Sequence, residues 1–180
     1  MAFIDGENLV GRFQAMLTQG RLPHPGVAHR ENEYVWMAAT PIPGWLEVVR
    51  AYYYTSVVGE QDHIDLTVDT LRRLPFTNGG LSAMQCLLLA RVFKRAKNTK
   101  KTSTVDINLT VDMLNHAAQR SAETFYLLSG DGDFVPLVEA VAARGCRVIV
   151  AAFSSGVSMR LARSADRFID LDDTYFLPTI

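Results

Sequence analysis

The 180 residues carry 18 Lys and Arg against 19 Asp and Glu, a formal net charge of −1, with 48% hydrophobic and 21% charged side chains. That balance excludes a disordered chain and gives no global attraction to a polyanion, so any nucleic-acid partner must meet a local basic patch or a bound cation. No apolar run reaches the roughly 18 residues of a membrane span and no leader pattern opens the chain, so the sequence reads as one cytoplasmic domain over residues 1–180 with no membrane partner.

Ala2-Phe3-Ile4 is a short apolar run that leads into Asp5-Gly6-Glu7-Asn8. Leu9, Phe13, Met16 and Leu17 then recur at helical spacing, giving strand, acidic turn, helix. Asn8 is placed to cap that helix or to orient a carboxylate. Residues 20 to 44, dense in Pro and Gly, read as a long connection with a short strand or helix inside it at Tyr34 to Ala39. Arg21, His24, His29 and Arg30 could face a substrate from such a loop, although an ordinary solvated loop is the stronger reading for each.

Trp45 to Val58 is β-branched and aromatic and predicts a strand, with Tyr52 to Tyr54 serving as packing or as stacking platforms for bases. Glu60 to Leu74 has helical spacing, with Asp62, Asp65 and Asp69 on its solvated side. Met84 to Phe93 predicts a strand in preference to a helix. The run Lys94-Arg95-Ala96-Lys97-Asn98-Thr99-Lys100-Lys101 is the chain's local concentration of positive charge, either a solvated loop or a contact for a phosphate backbone. Asp106 opens a helix carrying Ile107, Val111, Leu114 and Ala118, with Thr104 as its expected N-cap.

Thr124 to Leu128 predicts a strand that stops at Ser129-Gly130-Asp131-Gly132-Asp133, and Phe134 to Arg144 resumes as a helix closed by Gly145. A capped helix start explains one of these two aspartates, and a site explains both. Cys146 to Phe153 is a strand, Ser158 to Ala162 a short helix, and Arg167 to Leu171 a last strand before an acidic tail. Cys86 and Cys146 fall in apolar runs and read as buried thiols, and the scattered His24, His29, His63 and His116 give no zinc pattern. Trp36 and Trp45 read as core or as part of a homodimer interface.

The βαβα alternation implies a three-layer α/β/α Rossmann-like domain with a mainly parallel sheet. Asp5, Asp106, Asp131 and Asp133 then lie at strand ends or helix starts along one rim, where open α/β sheets bind ligands. Two carboxylates 4 Å apart repel by about 4 kcal/mol at an effective dielectric of 20, and a hard divalent cation relieves that repulsion. Mg²⁺ suits carboxylate oxygens and substrate phosphates, and the chemistry it permits is phosphodiester hydrolysis.

The matching pieces Phe3-Ile4-Asp5-Gly6-Glu7-Asn8-Leu9, the basic run with Val105-Asp106-Ile107-Asn108-Leu109 and Asp112-Met113, and Ser129-Gly130-Asp131-Gly132-Asp133-Phe134-Val135-Pro136-Leu137-Val138 resemble the NYN domain family of PIN-like nucleases. Later matches at Gly145 to Val148, Ser158 to Leu161 and Ala165 to Phe168 keep the same order. The resemblance implies a PIN-like fold and an Mg²⁺- or Mn²⁺-dependent endoribonuclease acting on RNA. It implies Asp5, Asp106 and Asp131 as metal ligands, Asp133 as a further catalytic carboxylate, and Asn8 and Ser129 as supports. Lys94, Arg95, Lys97, Lys100 and Lys101 would contact the RNA. Two other readings stay open: a non-catalytic RNA-binding module of the same fold, and a haloacid dehalogenase-type phosphatase suggested by the early Asp5 and by Gly130-Asp131-Gly132.

Overall fold

The computed structural model describes residues 1–77, 85–98 and 103–178. Its centre is β1 (Ala2–Asp5), four buried residues of which the first three put apolar side chains on both faces because helices cover both. Ala2 and Ile4 enter one core layer and Phe3 the other. β1 pairs in parallel with β4 (Ala51–Val57) on one side and β7 (Thr124–Leu128) on the other. Outward from β4 come β6 (Gln85–Lys94), parallel, and β5 (Pro75–Thr77), antiparallel. Outward from β7 come β8 (Arg147–Ala152) and β9 (Arg167–Asp170), both parallel. The sheet order is therefore β5-β6-β4-β1-β7-β8-β9, and the Rossmann-like α/β expectation holds.

The first core layer packs α1 (Gly6–Thr18) through Leu9, Val10, Phe13 and Met16, with Leu71 of α2 (Gln61–Arg72) beside it. The second packs α3 (Ser103–Ala118), α4 (Val135–Ala142) and α5 (Met159–Ser164) through Val105, Leu109, Val138 and Leu161. The turn that follows α4 closes at Gly145, whose φ of 80° is a left-handed conformation that costs little only in glycine.

Several elements differ from the sequence reading. Within residues 20 to 44 lies a hairpin of β2 (Val27–Arg30) and β3 (Tyr34–Met37). β3 is wholly buried, because Tyr53 Oη donates to the Val35 carbonyl at 3.0 Å and accepts from Val35 N at 3.1 Å. Trp36 is core, its Nε1 donating to the Pro75 carbonyl at 2.9 Å, whereas Trp45 is 59% exposed. β4 starts at Ala51, so residues 45 to 50 are not strand. Thr104 lies inside α3 and cannot cap it; its carbonyl instead accepts Asn108 Nδ2. The acidic tail folds into α6 (Asp172–Tyr175), because Tyr175 and Phe176 bury against Phe153 and Phe13. Cys146 is buried as expected. Among the described residues no helix is long and apolar enough to cross a membrane.

Candidate active site

From β1 the chain works outward through β4 to β6, then returns through α3 to β7 on the other side of β1. The loops after β1 and β7 diverge at that reversal and leave a crevice at the carboxyl edge of the sheet, the usual place for a ligand. Asp5 closes β1 and Ser129 to Asp131 follow β7, so the two acid turns meet at this switch point, with Asp5 itself buried beneath the edge.

The two acid turns are bonded to each other. Asp5 is fully buried; its Oδ1 accepts the Asn8 amide at 3.0 Å and its Oδ2 accepts the Ser129 hydroxyl at 2.9 Å. Ser129 Oγ in turn accepts the Asp131 amide at 3.1 Å. Asn8 Oδ1 accepts Gly130 N at 3.0 Å. Asp5 is thus the N-cap of α1, and Asn8 is a strut to the β7 turn rather than the expected cap. Asp131 caps a 3-10 turn over Gly132–Phe134, its Oδ1 accepting Asp133 N at 3.0 Å, and α4 follows only at Val135. Asp131 is half-buried and Asp133 is exposed. A buried Asp5 with both oxygens accepting hydrogen bonds suits a fixed carboxylate, not the accessible nucleophile that a haloacid dehalogenase-type phosphatase needs.

Asp106 stands in the first turn of α3, half-buried beside the fully buried Val105, on the far face of the sheet from α1. Asp112 is engaged elsewhere: it accepts the Tyr54 hydroxyl at 2.7 Å and lies 4.0 Å from Arg91 Nε. Burial, reinforced by that bond to Asp112, pushes the Tyr54 phenol far above its ordinary range, so it stays a donor. Tyr53 and Tyr54 are fully buried and Tyr52 stacks on Phe3, so the tyrosine run packs the core and offers no platform to bases.

On the α1 side of the crevice lies a cleft of about 540 Å³ between α1, the hairpin turn and the ends of β4 and β6. Glu7, Gln14, Glu31, Glu33, Arg95 and Lys97 are among its lining residues. Glu7 accepts the Ser56 hydroxyl, and Glu33 meets His63 Nε2 at 3.1 Å. Of the basic run, Lys94 pairs with Glu60 at 3.0 Å and Arg95 Nη2 donates to the Asn32 carbonyl at 3.0 Å. Lys100 and Lys101 lie outside the described residues. Glu33 and Gln14 of this cleft carry no motif that marks them in the sequence. The position of Glu7 in the Asp-Gly-Glu-Asn turn was the signal available for it. From the 20 to 44 connection, Arg21 pairs with Asp172 at 3.7 Å, His29 packs on Phe13, and Arg30 lies 3.5 Å from Glu33. His24 Nδ1 accepts Gly26 N at 3.1 Å. None of these four needs a substrate to explain it.

Among the described residues no group of three or more His, Cys, Asp or Glu side chains stands close enough to hold an ion by itself. The rim donors are all carboxylates, which fits Mg²⁺ or Mn²⁺: a hard cation of this kind takes one or two protein carboxylates and completes its shell with water and substrate phosphate.

The comparisons with known proteins follow the same lines. A solved structure of a protein of unknown function from Vibrio parahaemolyticus superposes with a TM-score of 0.56 over 98% of this chain and 94% of that one, at 20% identity, a likeness of fold. The Low amplitude and bright protein LabA of Synechococcus elongatus is 28% identical over 130 residues, 71% of this chain and 65% of the relative's length. The chain therefore spans about two thirds of that curated relative. The family model of the NYN domain matches residues 1–172, and the chain belongs to the NYN domain family.

Proposed function

We propose that this chain is a divalent-metal-dependent endoribonuclease that hydrolyses RNA phosphodiester bonds at the β1/β7 crevice. The observation that carries the reading is the bonded chain Asp5–Ser129–Asp131, a fully buried carboxylate tied through a hydroxyl to a second acid turn at the sheet's topological switch. Folding alone needs one cap per helix. It does not need a 124-residue sequence separation bridged by a buried Ser–Asp pair. NYN domains are typically ribonucleases, which supports the same conclusion.

One or two of Asp5, Asp106 and Asp131 would hold Mg²⁺ or Mn²⁺ together with water and the substrate phosphate, and the ion when bound would lower the pKa of an attacking water and neutralise charge on the phosphate. Ser129 and Asn8 fix the two acid turns relative to each other, so the carboxylates need no reorganisation when substrate arrives. Asp133, exposed on the same turn, would orient a water or a ribose hydroxyl. Arg95 and Lys97, joined by Lys94, Lys100 and Lys101 of the same run, would draw in the RNA backbone.

The test incubates purified protein with end-labelled single-stranded RNA, structured RNA and DNA in Mg²⁺, Mn²⁺ or EDTA, beside Asp131→Asn. Cleavage lost with EDTA and with the variant is expected. The lack of a self-sufficient ion-holding group among the described residues favours, as a second reading, a non-catalytic RNA-binding module. Tight RNA binding without any metal-dependent product would establish that instead.

A further inference from the structure

We infer that Arg12 is a phosphate-binding residue that grips the RNA backbone on the β8 side of the crevice, so that substrate runs across the strand ends from Lys97 to the loop at Gly156. This rests on the ribonuclease reading above for the identity of the substrate.

Arg12 lies four residues after Asn8 on α1 and so shares its helix face. Asn8 Oδ1 holds Gly130 N at 3.0 Å, which turns that face toward the Asp131 turn. Side chains on a helix lean toward its N-terminus, and the N-terminus of α1 is at the carboxyl edge of the sheet, so Arg12 leans back toward the crevice. Its guanidinium lies against Gly156, where a Cβ would overlap it. Gly156 has a φ of 77°, so both the conformation and the space at this point suit glycine. The loop that carries Gly156 is anchored to the acid turn, with Ser158 N donating to the Gly130 carbonyl at 2.9 Å.

The charge is also available. Ion pairs engage Arg21, Arg30, Arg91 and Lys94 with Asp172, Glu33, Asp112 and Glu60. Arg12 is half-buried, and among the described residues its guanidinium has neither a hydrogen bond nor an ion pair. A planar guanidinium fixed by packing, with its donors unspent, is the side chain best suited to bidentate contact with a phosphate. Lys97 follows β6 and Gly156 follows β8, four strand positions apart in the sheet order. At about 4.8 Å per strand the track is about 19 Å long, near the smallest single-strand site sizes of about 4 nucleotides, with the acids at its middle.

The test measures fluorescence anisotropy of a labelled uridine dodecanucleotide in EDTA over a range of KCl, using the full chain as wild type, Arg12→Ala, Arg12→Lys and Gly156→Ala. Arg12→Ala should bind about 3- to 10-fold more weakly at about 0.1 M salt and lower the slope of log K against log salt by about 0.7, the loss of one single-strand phosphate contact. Arg12→Lys should keep the slope and lose part of the affinity. Gly156→Ala should reproduce the loss by displacing the guanidinium, and the double variant should bind no worse than Arg12→Ala alone. Unchanged affinity and slope in Arg12→Ala would overturn the inference, as would a fall in melting temperature with no change in slope, or a wild type that does not bind. If wild type binds with the expected slopes but never cleaves, the ribonuclease reading fails and the Arg12 contact stands.

Discussion

The turn after β7 and the turn of the β2–β3 hairpin both face the carboxyl edge of the sheet, and they are held by different means. The first is fixed from within: Asp5 and Ser129 are fully buried, and their hydrogen bonds join segments far apart in sequence. The second is fixed at its base by Tyr53 and Trp36, while its tip is held by one part-buried bond from Thr55 Oγ1 to the Glu33 carbonyl at 2.7 Å and by more exposed contacts, Arg30 and His63 with Glu33 and Arg95 with the Asn32 carbonyl. Buried polar networks in a low dielectric are costly to break, whereas exposed ion pairs contribute about 0 to 1 kcal/mol each. On the proposed function the comparison teaches a division of labour: a rigid wall would keep the carboxylates from moving, and a more adjustable wall would let a flexible polyanion fit.

The largest expected effect breaks the base of the hairpin. Trp36→Ala removes a fully buried indole and its bond to Pro75, and should lower the unfolding free energy in a urea titration by about 3 to 5 kcal/mol. Next comes the rigid wall. Ser129→Ala should slow metal-dependent RNA cleavage about 10- to 100-fold with a stability loss of about 2 to 3 kcal/mol, since it removes both the donor to the buried Asp5 and the acceptor for the Asp131 amide. If stability fell and the rate did not, the network would be only a fastening.

The adjustable wall sharpens the contrast with a smaller change. Lys97→Ala should weaken RNA binding by about 3-fold and reduce the salt slope by about 0.7, leaving the melting temperature in place. The smallest effect lies away from both walls. Burial, together with the neighbouring Asp172, raises the Asp170 carboxyl above its ordinary value of 3.8, so its stabilising share is fully present below pH 3.8 and is lost as pH rises through the raised value. Asp170→Asn can still accept the Asp172 amide, and should melt slightly above wild type at pH 7 in scanning calorimetry, with the gain fading as the pH drops to about 4.

How much of this was legible in sequence follows the same split. β1, β7 and β8 could be read because buried parallel strands appear as short apolar runs, and the acid turns because they interrupt those runs. Of the hairpin only β3 could be glimpsed, as the short strand or helix at Tyr34 to Ala39, since its strands are stabilised by partners in β4 and β5 rather than by their own pattern. Trp45 to Arg50 has strand propensity without a strand partner, which is why β4 begins later than expected. Asn8 reads locally as a cap, and only the fold reveals Gly130, 122 positions away, as its partner. Asp172 and Asp173 read as a solvated tail because burial of Tyr175 and Phe176 depends on Phe13 and Phe153.

The most direct measurement of the central claim is single-stranded RNA cleavage by wild type and Asp131→Asn at matched fold stability, each in Mg²⁺, Mn²⁺ and EDTA. The account predicts cleavage by wild type that EDTA abolishes and that Asp131→Asn reduces by about 10²- to 10³-fold or more. Equal cleavage by the two proteins, or cleavage indifferent to EDTA, would contradict it.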